Sequence, residues 1–271
     1  MNRQSFFILT VFLLVAQLQA RDFFAFDNGL NDVKELDDKA ALLAELGYAG
    51  VGARPGNHAG WLAALDKHGL KMLATYVTLN ADMEKCPIPE KVVSEIRALK
   101  GRETYIWLAV NGKSTDEVVV PAIRELCDLC SELGLKVVLY PHVNFHTDTV
   151  ATALRLLKKA DRPNLGLTFN LCHFLKQNDG KELAKTIQDA APHLWLVSIN
   201  GADSGDTMKM GWDRLIQPLG GGSFDVSGLM ALLDEAGYKG PVGLQCYNVR
   251  QPAREHLAES ALAWEKMTQD E

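Results

Sequence analysis

The sequence predicts a single α/β domain of the closed (β/α)8 barrel class. Three observations carry that expectation. Eight short β-branched and apolar runs alternate with segments of helical period, the junctions between them resemble one another, and no linker or change of composition divides the 271 residues. Regular alternation implies parallel strands joined by crossover helices, and eight such units fit a closed barrel better than an open sheet.

In chain order, FFAFDNG (23–29) reads as the first strand, and Val33, Leu36, Ala40 and Leu43 then recur at helical spacing until Gly47 stops the helix. GVGAR (50–54), KMLATYVT (71–78), TYIWLAVN (104–111) and KVVLYPH (136–142) follow as strands two to five. LGLTFN (165–170), LWLVSIN (194–200) and PVGLQCYN (241–248) complete the set. Amphipathic segments separate them, such as Val150, Leu154 and Leu157, or Leu229, Leu232, Leu233 and Ala236. The junctions ELGYAGVG, KHGLKML, ELGLKVV and EAGYKGPVG each place a glycine (Gly47, Gly69, Gly134, Gly237) where a left-handed helix cap is expected. The longest insertion, residues 201–224 after strand seven, is long enough to fold over the mouth as a lid.

Nearly half the residues are apolar, as a folded core requires, and the net charge of −6 comes without a basic patch, which excludes nucleic acid as a partner. Residues 1–20 carry Arg3, an apolar core from Phe6 to Val15 and a polar end at Ala20. This is the pattern of a secretory leader cleaved after Ala20, with a retained N-terminal anchor as the alternative reading. The expectation is an exported protein, periplasmic or extracellular, with residues 21–271 as the barrel domain and no membrane contact once the leader is removed. The five cysteines, Cys86, Cys127, Cys130, Cys172 and Cys246, are too few and odd in number for a disulfide framework. Cys127 and Cys130 form a CxxC on the same apolar face as Ile123 and Leu126, so they read as core side chains rather than a redox pair.

A barrel of this class builds its site from strand C-terminal ends and the loops after them. Those ends present Asp27 and Asn28, Arg54, Tyr76 and Asn80, and Trp107 and Asn111. The strand period of two then puts Tyr140 with His142, Thr168 with Asn170, Ser198 with Asn200, and Gln245 with Tyr247, each pair on one face. The run 165–175 delivers Asn170 and His173 to the start of a loop. Buried amides and hydroxyls are costly without partners, so such a cluster implies a wet, ligand-filled cavity. Tyr76, Trp107 and Tyr247 read equally as core aromatics or sugar-stacking rings. Arg54 is either an anion clamp or an ion-pair partner. Gly220 to Gly222 stand where a phosphate could meet a helix N-terminus, but Asp225 reads as that helix's own cap.

The segments LYPH (139–142), FNLCHFL (169–175), VSINGAD (197–203) and PLGGGSFDVSGLMALLDEAGYKGPVGLQ (218–245) resemble the xylose isomerase-like TIM barrels. That superfamily contains sugar phosphate isomerases and epimerases together with apurinic endonucleases, and the likeness covers nearly all of residues 21–271. It implies one divalent metal held by a Glu on strand five, the Asp of a DxxH turn on six, the His of an HxxD segment on seven and a Glu on eight. Two of the carboxylates would serve as acid and base around an enediolate. Here those positions are Tyr140, Asn170, Asn200 and Gln245, all neutral.

Hard cations are held largely by anionic oxygens, so the usual metal is not expected. The expectation is a neutral cup for a small-molecule carbohydrate, with His142 and His173 as catalytic groups. Tyr140, Asn170, Asn200, Gln245, Asn111, Arg54, Trp107, Tyr247 and Asp203 are the expected substrate contacts. A metal arrangement built instead from His142, His173 and Asp203 stays open. Two functions follow: an exported isomerase, epimerase or lyase that removes a proton next to a carbonyl of a sugar or keto-glycoside, or a carbohydrate-binding barrel that has lost the chemistry. The oligomeric state is not legible in the sequence.

Overall fold

The computed structural model describes residues 21–178 and 180–269, and its eight strands close into a parallel barrel in sequence order. The expected leader, residues 1–20, lies outside the described residues. The strands are β1 (Phe23–Phe26), β2 (Gly50–Ala53), β3 (Lys71–Asn80), β4 (Tyr105–Asn111), β5 (Lys136–Leu139), β6 (Leu165–Asn170), β7 (Leu194–Ile199) and β8 (Val242–Leu244). Phe24 sits opposite Gly50 on one side and Gly243 on the other, which closes the ring. Around them lie α1 (Leu36–Glu45), α2 (His58–Lys67), α3 (Glu90–Arg97), α4 (Asp116–Glu132) and α5 (Val150–Ala160). The second half adds α6 (Leu171–Gln177), α7 (Leu183–Ala190), α8 (Trp212–Leu215), α9 (Val226–Glu235) and α10 (Ala253–Gln269). None of the described helices is long and apolar enough to cross a membrane.

The four junction glycines adopt left-handed backbone, with φ between 69° and 77° at Gly47, Gly69, Gly134 and Gly237, so each ends a helix as its position in the repeat requires. Asp225 caps α9 through a 2.8 Å bond from the Gly228 N–H. Several strands are shorter than their apolar runs. Asp27–Gly29 already form a 3-10 turn, and Asn200 and residues 245–248 lie beyond the last ladder pair. On β5 the ladder stops at Leu139, since Pro141 has no N–H to extend it. Val33 precedes α1 rather than belonging to it.

One expectation is corrected outright. Asn170 and His173 open a helix, not a loop, because the Asn170 side chain accepts the His173 N–H at 3.1 Å and so caps α6.

Two apolar layers result from the strand period. Leu165, Leu167 and Phe169 point outward to the helices, while Phe24, Phe26, Trp107, Val138 and Tyr140 fill the bore. Inside, the rings stack: Phe26 on Trp107 at 4.4 Å and Trp107 on Tyr140 at 3.9 Å between centroids. Glycines on the neighbouring strands make room for them. A Cβ on Gly52 would stand 2.4 Å from the Phe26 ring, and one on Gly243 would stand 2.6 Å from Phe24. All five cysteines are free and buried, and burial pushes the Cys127 and Cys130 thiols on α4 up to about 12, as core side chains rather than reactive ones.

Because the rings above Gly52 are rigid and enclosed, Gly52→Ala is expected to cost about 1–3 kcal/mol through overpacking. Urea denaturation of the purified chain checks this, and an unchanged midpoint would contradict the close packing of the bore.

Candidate functional site

The ring column ends at the C-terminal mouth of the barrel, where it floors a cavity of about 610 Å³. Tyr140, the top ring of the stack, stands 5.4 Å from the His142 ring and 5.5 Å from the His173 ring. The two imidazoles lie 4.0 Å apart, tilted by 41°. His142 is fixed by its own turn: its N–H donates to the Thr147 carbonyl at 2.8 Å, and Phe145 packs on its ring at 3.9 Å. The His173 ring is carried by the first turn of α6, whose cap is Asn170.

Neither histidine carries charge at neutral pH. Burial lowers the His142 pKa, partly offset by backbone hydrogen bonding, and burial together with the adjacent His142 pushes His173 down to about 2. The tautomer of His142 follows from its contacts. Nδ1 lies 3.0 Å from the Val143 carbonyl, which can only accept, so Nδ1 carries the proton and the lone pair sits on Nε2. On His173, Nδ1 is buried without a partner. Tyr76 and Tyr140 are held protonated by burial, and the Cys172 thiol is raised to about 12 for the same reason. The formal charges at the mouth are those of Arg54 and Asp27, paired at 3.0 Å, with Arg54 at the rim and Asp27 beneath it.

Of the residues expected at the site, Tyr140, His142, His173, Gln245, Arg54 and Tyr247 line the cavity together. The others do not. Trp107 is fully buried under Tyr140 and outside the cavity lining, because its ring lies one layer down the bore. Asn200 turns its amide away to bond the Gly201 and Leu215 carbonyls at 2.8 and 2.7 Å, pinning the insertion. Asp203 pairs with Arg214 at 2.7 Å within that insertion. Asn111 is exposed and outside the lining, and Asn170 spends its oxygen on the α6 cap.

The structure adds lining residues that the strand-end pattern passed over. Trp212 of α8 stands 5.3 Å from His173, and Phe145 and Ile216 line the cavity as well. Trp212 and Ile216 come from the long insertion, whose length was the one sequence signal that it folds over the mouth.

The four positions that the family resemblance assigns to a metal do not fit one. The Gln245 side-chain oxygen already accepts from Asn28 at 2.7 Å and from the Cys246 and Tyr247 N–H groups at 3.1 Å. Asn170 commits its oxygen to the α6 cap, Asn200 holds the insertion through Nδ2 and keeps only a neutral amide oxygen unpaired, and Tyr140 is a protonated ring stacked on indole. Such a set offers dipoles and no anionic oxygen. His142 and His173 meet, but Asp203 is paired with Arg214 outside the cavity lining, and no group of three His, Cys, Asp or Glu side chains placed to hold a metal occurs among the described residues.

The sequence profile of the xylose isomerase-like TIM barrel family matches residues 40–267. Among solved structures, the chain is similar to the IOLI protein with a bound zinc atom, at a TM-score of 0.72 and 15% identity over 92% of this chain and 98% of that one. It is similar to 3-keto-D-glucoside 4-epimerase, YcjR, from E. coli, with a TM-score of 0.70 and 16% identity over 91% and 99%. D-Psicose 3-epimerase from Clostridium cellulolyticum H10, solved with D-tagatose, gives 0.70 and 13% over 92% and 98%. No curated protein matches the sequence. At these identities the structural likeness establishes the fold.

The depressed His173 pKa has a consequence for stability. The unfolded chain binds a proton near pH 6.5 and the folded chain does not, so the neutral ring's contribution is complete above about 6.5 and is lost as pH falls, at up to about 1.4 kcal/mol per pH unit. His173→Gln is expected to flatten the denaturation profile between pH 7 and pH 5 by that amount. Parallel profiles for the two proteins would contradict a buried, neutral His173.

Proposed function

The chain belongs to the xylose isomerase-like TIM barrel family, and from that premise we propose that it is a sugar isomerase or epimerase working from an uncharged cup rather than around a cation. The observation that carries this reading is the pair of neutral imidazoles 4.0 Å apart at the cavity floor, one of them with a free basic nitrogen. In this reading a keto-sugar or keto-glycoside enters with its carbonyl towards the pair. His142 Nε2 takes the proton from the neighbouring carbon and the bonding electrons move onto the carbonyl oxygen. Return of that proton to the former carbonyl carbon, with the adjacent hydroxyl proton passing to the oxyanion, gives the isomer. Protonation of the original carbon by water from the other face, with the His142 proton released to solvent, gives the epimer. His173, neutral throughout, donates a hydrogen bond to the developing oxyanion, as a neutral imidazole can without being a proton source in its own right.

The lining supports a carbohydrate rather than an anion, since the Tyr76 hydroxyl, the Gln245 amide N–H groups and the Asn28 amide oxygen are neutral hydrogen-bonding groups and the Arg54 charge is already matched by Asp27. Export through residues 1–20 belongs to the same proposal and rests on their charged, apolar and polar order. A second reading, a carbohydrate-binding barrel without turnover, is favoured by one observation: His173 is held so far from protonation that no acid stands opposite the base.

Solvent exchange separates the two. Incubated in D2O with a panel of keto-sugars and keto-glycosides, the chain is expected to place deuterium next to the carbonyl of at least one, with no loss in EDTA. His142→Gln should slow that exchange by about 10²-fold or more, the size of a general-base contribution. Saturable binding without exchange would favour the second reading, and exchange abolished by EDTA would contradict the metal-free site.

A further inference from the structure

We propose that the cavity holds two subsites and that its ligand is a glycoside of at least two rings, the inner ring against the histidine pair and the outer ring stacked on Tyr247. This rests on the carbohydrate reading above and names its substrate class. The first argument is topological. In a closed barrel of eight strands in sequence order, strands four apart face each other across the bore. His142 follows β5 and His173 opens the helix after β6, whereas Asn28 follows β1 and Arg54 follows β2, so the two groups stand on opposite sides of the mouth. The cavity that joins them, about 610 Å³, falls in the range of pockets that enclose drug-sized ligands, several times what one pyranose ring occupies. A single ring held by the histidines leaves the Arg54 side empty.

The second argument is Tyr247 itself. It is the one aromatic residue among the described residues that is exposed, at 56%, and it stands on the cavity rim. Its exposure is not the accident of a loose loop. The Tyr247 N–H donates to the Gln245 side-chain oxygen at 3.1 Å, Asn28 donates to the same atom at 2.7 Å, and Asn248 turns the chain in left-handed backbone at φ 62°. The rim ring is therefore tied by a short hydrogen-bonded turn to the cavity wall. A tyrosine face left open in this way carries the negative side of the ring quadrupole, to which the C–H face of a pyranose presents its hydrogens, while the phenol stays in water. Arg54, anchored through Nε to Asp27 at 3.0 Å and through one terminal nitrogen to Asn31 at 3.2 Å, leaves its other N–H groups for the hydroxyls of that outer ring.

Calorimetric titration of the full chain with α- and β-linked disaccharides and their constituent monosaccharides tests the proposal. Wild-type chain is expected to bind at least one disaccharide about three- to tenfold more tightly than its monosaccharides, the size of one aromatic stacking contact. Tyr247→Ala should bring that ratio close to one, and Tyr247→Phe, which keeps the ring face, should preserve it. Equal affinities for mono- and disaccharides in the wild type, or a ratio that survives Tyr247→Ala, would overturn the outer subsite while leaving the exchange chemistry at His142 standing. Failure to bind any saccharide would overturn both.

Discussion

A column of aromatic rings in the barrel bore sets the character of everything above it. Phe24 and Phe26 enter from β1, Trp107 from β4 and Tyr140 from the end of β5, and the last three stack face to face in sequence. Glycines at Gly52 and Gly243 concede the space, so bulky rings on some strands are matched by absent side chains on their neighbours. A floor of this kind supplies no anionic oxygen for a hard cation, and a charge buried above it costs several kcal/mol unless a partner offsets it. The groups around it are accordingly neutral: a protonated tyrosine, two unprotonated imidazoles, a thiol and a glutamine.

That constraint also explains what became of the polar strand ends. Asn170, Asn200 and Gln245 stand where the family resemblance leads one to expect carboxylate or imidazole ligands, and each is an amide with another use. Asn170 starts a helix, Asn200 holds the insertion in place through Leu215, and Gln245 gathers three donors from the β1 and β8 ends. Amides suit these tasks since the group can accept, as at Asn170 and Gln245, or donate, as at Asn200, without carrying charge. Only the histidines keep unspent basicity beside the cavity, and His142 alone does so with a defined lone pair.

Much of the fold was legible in the sequence because its signals are local. Strand period, helical period and the cap glycines at 47, 69, 134 and 237 each depend on a few neighbouring residues, and all eight strands lie inside or within two residues of their apolar runs. The site was legible only in part. Strand period tells which face a residue takes but not its height in the bore, so Trp107 was grouped with Tyr140 although it lies one layer beneath. The run 165–175 is apolar on both sides of Asn170, so neither period marks the switch from strand to helix there. Trp212 sits in an insertion without periodicity, and its approach to His173 is a tertiary fact.

The proposed chemistry requires that the neutral side chains at the barrel mouth hold no cation. Titration of the purified chain with Mn²⁺ and Zn²⁺, together with elemental analysis of the protein as isolated, tests that most directly. The account predicts no stoichiometric ion and no saturable heat. One equivalent of metal per chain, lost on Gln245→Ala or Asn170→Ala, would contradict it.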